Sequence, residues 1–327
     1  MKLFVYAMRE FDELGFFNDL CAEHGIEFDY STEYCTMETA HLAAGYDAVS
    51  VTPVTIDRPL IERFKELGVK AIATRSIGFD HIDLDACREL GIRMSHTAYD
   101  PESVANYAIM LAMMCLRMMP QIQDRARVQD YTLRGKLGRD ISGCTVGVVG
   151  TGRIGGTVVK HLQGFGCKVL AYDIYQSPAV AQMAEYVDLD TLLSQSDVVT
   201  LHAPATKENY HMIDERALTL MKDDAVLVNT ARGALVDTEA LICALEQGKL
   251  LNVALDVLEQ EDNLYYKDRV GDVIANRHLA VLRSLPNVIL TPHTAFYTQI
   301  DVYQMAETVV KGAVAMLNGE DSFLIVV

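Results

Sequence analysis

Short apolar runs alternate along this chain with longer stretches whose apolar positions recur at helical spacing. That alternation is the signature of a parallel sheet covered by helices on both faces, and it occurs twice. In the first part the pattern predicts strands over 3–7, 48–52, 71–74 and 92–95, with helices such as 58–67 and 84–90 between them. In the second it predicts six strands, over 145–150, 168–172, 198–201, 225–229, 252–256 and 287–290, the number in a full Rossmann sheet. Residues 100–117 form a strong helix candidate between the two sets, with Pro101 suited to an early helical position behind an aspartate cap, and read as an inter-domain helix. A last helix over 303–317 is followed by Ser322-Phe-Leu-Ile-Val-Val327, which would bring the chain back to the first domain. The expected fold is α/β with two Rossmann-like domains, the first discontinuous (1–100 completed by 299–327) and the second spanning 101–298.

Composition narrows the function classes. With 327 residues the chain can hold two ordinary domains, and 50% hydrophobic residues with no tryptophan suit well-filled cores. A net charge of −17 argues against nucleic acid or an anionic membrane as partner, so an anionic substrate would need a local cation. The seven cysteines show no CxxC pair and no zinc-like spacing, which reads as free thiols in a reducing compartment and no metal site. The start, Met1-Lys-Leu-Phe-Val-Tyr-Ala-Met8, lacks the pattern of a signal peptide, and the apolar stretch 104–119 falls short of a membrane span. A cytoplasmic protein is expected.

The segment Thr145-Val-Gly-Val-Val-Gly150-Thr-Gly152-Arg153-Ile154-Gly155 is an apolar strand running into G-x-G-x-x-G and then a helical pattern. In that context the glycines serve a tight turn, close approach to a pyrophosphate and helix-on-strand packing, with the phosphates on the helix N-terminus. Asp173 ends the next strand 23 positions after Gly150 (173 − 150), near the spacing at which a carboxylate takes the adenosine ribose hydroxyls. A carboxylate there repels a 2′-phosphate, so NAD is expected over NADP.

Three further segments lie at or just past strand ends, where ligands gather in open parallel sheets. They are Asn229-Thr230-Ala231-Arg232, Asp256-Val-Leu-Glu259-Gln-Glu261, and Thr291-Pro-His293-Thr. An arginine fork matches a substrate carboxylate in two parallel hydrogen bonds. A histidine can carry a proton at neutral pH, and a carboxylate on its second nitrogen fixes the ring. Taken singly, Arg232 could be a surface arginine, Glu261 one acid of an acidic run and His293 a packed strand-end histidine. Their joint placement after successive strands of a dinucleotide fold favours proton-coupled hydride transfer.

The chain resembles the D-isomer-specific 2-hydroxyacid dehydrogenases, within them the D-lactate and D-2-hydroxyisocaproate dehydrogenase branch. The resemblance rests on Thr74-Arg-Ser-Ile-Gly-Phe-Asp-His-Ile-Asp83, Ala98-Tyr-Asp-Pro-Glu-Ser-Val-Ala105, Val149-Gly-Thr-Gly-Arg-Ile-Gly155, Leu201-His-Ala-Pro204, Val228-Asn-Thr-Ala-Arg-Gly233, Leu255-Asp-Val-Leu-Glu-Gln-Glu261 and Thr291-Pro-His-Thr-Ala-Phe-Tyr-Thr298. It implies a flavodoxin-like substrate-binding domain made from both chain ends, a central NAD-binding domain, a cleft between them and a homodimer built on the NAD-binding domain. It further implies that Arg232 binds the 2-oxo acid, His293 is the acid/base and Glu261 its partner. Asp256 would sit near the nicotinamide, and Ala203, Pro204, Asn209, Thr230 and Ala231 would line the cofactor. Ile77 and Gly78 would hold the substrate carboxylate by backbone N–H groups, with Tyr99 and Tyr297 in the same pocket.

The activity so implied is reversible reduction of pyruvate to D-lactate with NADH. Two departures bear on it. Val51-Thr-Pro-Val-Thr55, at a loop that shapes the substrate pocket, lacks the aromatic or glutamine residues of several members, which opens larger 2-oxo acids such as 2-oxoisocaproate and phenylpyruvate as the alternative. Arg75-Ser-Ile-Gly and Asp256-Val-Leu-Glu are similar to the D-lactate dehydrogenases of glycopeptide resistance, some of which prefer NADPH, and Asp173 argues against that here. A rival of another class is an NAD-sensing, corepressor-like binding protein.

Overall fold

The computed structural model describes residues 1–261 and 264–327. The chain divides into two compact units, Met1–Asp100 with Tyr297–Val327, and Pro101–Phe296.

The first unit holds strands β1 (Lys2–Val5), β2 (Glu27–Tyr30), β3 (Ala48–Val51), β4 (Ala71–Thr74) and β5 (Arg93–Ser95) in the order β2-β1-β3-β4-β5, all parallel. This is the flavodoxin-like order. Successive side chains of β1 serve opposite faces, as strand geometry requires. Leu3 and Val5 pack with Phe17, Val309 and Val310, while Phe4 packs with Val49, Ile61 and Phe64. Burial on both faces is why these strands read as continuous apolar runs. β2 was not anticipated: its Glu-Phe-Asp-Tyr alternation lies on the sheet edge, half or fully exposed. The long helix α11 (Gln299–Asn318) covers one face, and the chain end then bridges Ser95 through Ile325, with the Met94 amide donating to the Val327 carbonyl at 3.0 Å.

The second unit contains β6 (Thr145–Val149), β7 (Lys168–Tyr172), β8 (Glu185–Tyr186), β9 (Val198–Leu201), β10 (Val226–Asn229), β11 (Asn252–Leu255) and β12 (Val288–Leu290), parallel in the order β8-β7-β6-β9-β10-β11-β12. The sheet therefore has seven strands where the pattern predicted six. The extra one, β8, is two residues long, too short to leave a periodic signal. Chain order reverses between β6 and β9, which makes their C-terminal ends the switch point of a doubly wound sheet. The helix expected over 100–117 runs from Glu102 to Leu116 as α4 (Glu102–Leu116), with Pro101 at the capping position and no side-chain cap bond. α4 packs within this unit against β10, β11 and α6 (Arg153–Leu162). Among the described residues no single helix is long and apolar enough to cross a membrane.

Candidate active site

The adjacent strands β10, β11 and β12 end in the three segments singled out above, so their loops emerge side by side. Asp256, just past β11, is fully buried. A buried carboxylate is tolerated only where donors meet its charge. Here one oxygen accepts from the Thr291 hydroxyl at 2.6 Å and the Thr294 amide at 2.9 Å, and the other from the Ala295 amide at 2.9 Å. The His293 amide donates to the Asp256 carbonyl at 2.8 Å. Asp256 therefore clamps the loop that carries His293. That loop is strained, since His293 has φ = 53°, a left-handed conformation that costs a non-glycine residue roughly 1–2 kcal/mol.

The His293 ring meets Glu261 through Nδ1 at 2.6 Å, and the second Glu261 oxygen accepts the Leu258 amide at 2.7 Å. Both side chains are about three-quarters buried, at 25% and 20% exposure. Glu259, two positions earlier, turns elsewhere. It is hydrogen-bonded to His211 Nε2 at 2.7 Å, and accepts from the Thr238 hydroxyl at 2.6 Å and amide at 3.1 Å. Burial alone would raise the Glu259 carboxyl, but these bonds hold it below the usual carboxylate range. The two glutamates thus serve different histidines. Asp262, the last acid of the run, lies outside the described residues.

Arg232 is half-buried at the end of the β10 loop, its Nη1 donating to the Ala231 carbonyl at 2.8 Å. Asn229 fixes that loop: its amide nitrogen donates to the Arg232 carbonyl at 2.8 Å and its oxygen accepts the Ala231 amide at 3.0 Å. Two aromatic residues not singled out in the sequence belong to the neighbourhood. Burial, with the Glu261 and Asp256 charges nearby, pushes the Tyr265 phenol well above its ordinary range. The Tyr266 hydroxyl donates to the His293 carbonyl at 2.9 Å.

The glycine-rich segment lies at the switch point of the same sheet. Gly150 has φ = 86°, and a Cβ there would stand 2.6 Å from the Ala203 amide nitrogen; a Cβ on Gly155 would stand 1.9 Å from the Gly150 carbonyl oxygen. Beside Gly152 the space is open. α6 starts at Arg153 and Ile154 with no side-chain cap, whereas α7 (Leu189–Gln195), α8 (Glu215–Leu220) and α9 (Thr238–Glu246) are capped by Asp188, Asp214 and Asp237. The N-terminus of α6 thus carries no acidic side-chain cap of the kind the other three helices have, which suits an anion there. Asp173 accepts from the Thr151 amide at 2.5 Å and the Tyr175 amide at 2.9 Å, which joins it to the glycine loop. Ala203 and Pro204 follow β9 on the other side of the switch point. The Asn209 side chain folds onto its own loop, donating to the Pro204 carbonyl and accepting the Thr206 amide, both at 2.7 Å. Thr230 Oγ1 is buried with no hydrogen-bond partner among the described residues. His202 beneath the loop is neutral, because burial pushes its imidazole down to about 3. An uncapped helix start, open space at the middle glycine and a carboxylate at the second strand end fit a dinucleotide.

The other unit holds Ile77 and Gly78 in the turn after β4, where the Ser76 hydroxyl donates to the Gly78 carbonyl at 2.7 Å. Tyr99 lies half-buried in the segment after β5. The Tyr297 hydroxyl bonds Asp12, and the Arg9 guanidinium lies 5.7 Å from the Tyr297 ring centroid. Arg9 also pairs with Glu13 at 2.7 Å, and Glu13 faces the fully buried Arg75 at 3.4 Å. Sequence reasoning passed over Arg9, a lone cation in a charged N-terminal stretch.

A family model described as D-isomer specific 2-hydroxyacid dehydrogenase, NAD binding domain, matches residues 109–295. An aromatic 2-oxoacid reductase of Clostridium sporogenes is 38% identical over 94% of this chain and 93% of its own. A D-lactate dehydrogenase of Escherichia coli is 39% identical over 98% of both chains. The NAD-complexed crystal structure of a D-isomer specific 2-hydroxyacid dehydrogenase from Lactobacillus delbrueckii ssp. bulgaricus superposes over all of both chains with a TM-score of 0.88 at 30% identity. With the doubly wound sheet, the glycine loop and these likenesses together, the chain belongs to the D-isomer-specific 2-hydroxyacid dehydrogenases and is an NAD-dependent enzyme of that family.

Proposed function

We propose that the chain catalyses the reversible reduction of pyruvate to D-lactate, with His293 as acid/base, Glu261 as its partner and Arg232 as the substrate's anchor. The observation that carries this reading is the 2.6 Å contact between His293 Nδ1 and Glu261, which leaves Nε2 as the nitrogen that exchanges a proton with substrate. Bound NADH supplies a hydride for C2 of the oxo acid. Arg232 takes the carboxylate in two parallel hydrogen bonds and polarises the carbonyl. Protonated His293 delivers its proton to the carbonyl oxygen, while Glu261 holds the ring and balances the imidazolium charge. Gly150, Gly152, Arg153, Ile154, Gly155 and Asp173 take the cofactor, with Ala203, Pro204, Asn209, Thr230, Ala231 and Asp256 along it. The unit built from both chain ends is the substrate-binding domain, its Ile77–Gly78 turn, Tyr99 and Tyr297 receiving the acid.

A second reading, a larger 2-oxo acid, draws on the Clostridium sporogenes relative and on the small side chains of Val51-Thr-Pro-Val-Thr55. Comparing kcat/KM on pyruvate, 2-oxoisocaproate and phenylpyruvate, with both lactate enantiomers in reverse, decides between them. Pyruvate and D-lactate are expected to lead; a preference of about tenfold or more for a bulky acid, the scale on which a pocket resolves a few methylenes, overturns the lactate reading.

The reading includes a homodimer through the NAD-binding unit, supported by Leu133 and Leu137, which stand 88% and 91% exposed after α5 (Met119–Arg127). A mass in solution of twice 36.2 kDa is expected by light scattering, and a monomer at micromolar concentration contradicts it. The seven free cysteines support a cytoplasmic location.

A further inference from the structure

We propose that Tyr266 is a positioning residue for the acid/base, holding His293 in the left-handed conformation that turns its ring onto Glu261; the inference rests on the His293–Glu261 reading above. Three non-glycine residues with positive φ meet here: Gln260 at 59°, Tyr266 at 62° and His293 at 53°. Such conformations persist where surrounding contacts over-determine them. Glu261 follows the first, and its carbonyl accepts the Leu264 amide at 2.8 Å and the Tyr265 amide at 3.1 Å, which holds Tyr266 close to Glu261. From there the Tyr266 hydroxyl reaches the His293 carbonyl at 2.9 Å. One short segment therefore grips His293 twice, by the Glu261 carboxylate on the ring and by the Tyr266 hydroxyl on the backbone.

Asp256 fixes the loop through Thr291, Thr294, Ala295 and the His293 amide, but its contacts leave the His293 carbonyl to Tyr266. The aromatic ring adds a second restraint. Tyr266 lies 5.9 Å from the His293 ring and 6.4 Å from Phe296, and His293 lies 6.3 Å from Phe296 edge to face, so three rings limit how the imidazole can turn. Tyr266 is itself 53% exposed, so burial of its own side chain does not account for the hydroxyl's placement.

Tyr266→Phe keeps the ring and removes the hydroxyl. The expected result is a fall in kcat for 2-oxo acid reduction of about 3- to 10-fold, the range of one ordinary hydrogen bond, with KM for pyruvate and for NADH changed less than twofold and the thermal midpoint unmoved. In a Glu261→Gln background the same change should add less than twofold, since both act through the ring. Wild-type kcat in Tyr266→Phe, or full additivity with Glu261→Gln, overturns the proposal. If His293→Gln retains turnover, the acid/base assignment itself fails and this inference with it, whereas a collapse in His293→Gln beside an unaffected Tyr266→Phe isolates the failure to Tyr266.

Discussion

Replacing His293 with Gln is expected to lower kcat for 2-oxo acid reduction by roughly 10²–10⁴-fold, the usual worth of a positioned general acid. Glutamine is close in size to the imidazole and can still donate to Glu261, so the clamp by Asp256 on Thr291, Thr294 and Ala295 stays in place. What is lost is the proton that Nε2 would give to the developing alkoxide. Substrate and NADH should bind within a few-fold of wild type, since Arg232 and the glycine loop are untouched, so the loss belongs in kcat and not in KM. Steady-state kinetics of NADH oxidation with pyruvate checks this. Near-wild-type turnover would remove His293 from the mechanism.

The sequence made some of this arrangement readable and hid the rest for identifiable reasons. Strands β4, β7 and β9 are bounded as the pattern predicted because their central residues are buried on both faces and so read as mainly apolar runs. β2 escaped because an edge strand can alternate polar and apolar residues within four positions, and β8 because two residues carry no period. The glycine loop was legible through its flanks: a strand before it, a helix after it and an acid at the next strand end. The pairing within the candidate site was not legible from the residues themselves. Glu259 and Glu261 are equivalent in composition, and only the turn geometry after β11 sends one to His211 and the other to His293, 32 positions away. The same holds for Asp256, which reads as a strand-end acid beside the cofactor, while its three donors come from residues 35 to 39 positions on. Tyr266 carries no signal at all, since a tyrosine beside another in a polar segment looks like packing until its hydroxyl is seen on the His293 carbonyl.

Replacing Asp173 with Ser should shift cofactor discrimination toward NADPH by about 10- to 100-fold in the ratio of kcat/KM values. The argument starts from where the carboxylate stands: at the end of β7, one strand from the glycine loop, in the position that a Rossmann sheet gives to the ribose. A carboxylate accepts the ribose hydroxyls in charge-assisted hydrogen bonds worth about 1.5–3 kcal/mol, and 1.4 kcal/mol is a factor of ten. Serine removes that acceptor, which lowers NADH affinity. It also removes the negative charge that repels a 2′-phosphate, so NADPH gains as NADH loses. A further loss follows from this chain's own geometry. The Asp173 carboxylate also accepts the Thr151 amide at 2.5 Å and its hydroxyl at 3.1 Å, so it braces the turn between Gly150 and Gly152. Serine is too short to keep both contacts, and some affinity for either cofactor should fall with the loosened turn. Asp173→Asn separates the contributions, because it preserves size and acceptor oxygen while deleting the charge. If repulsion of the phosphate dominates, Asn should recover NADPH use with a smaller penalty on NADH than Ser. An unchanged NADH-to-NADPH ratio in both variants would mean that the ribose is read by another residue.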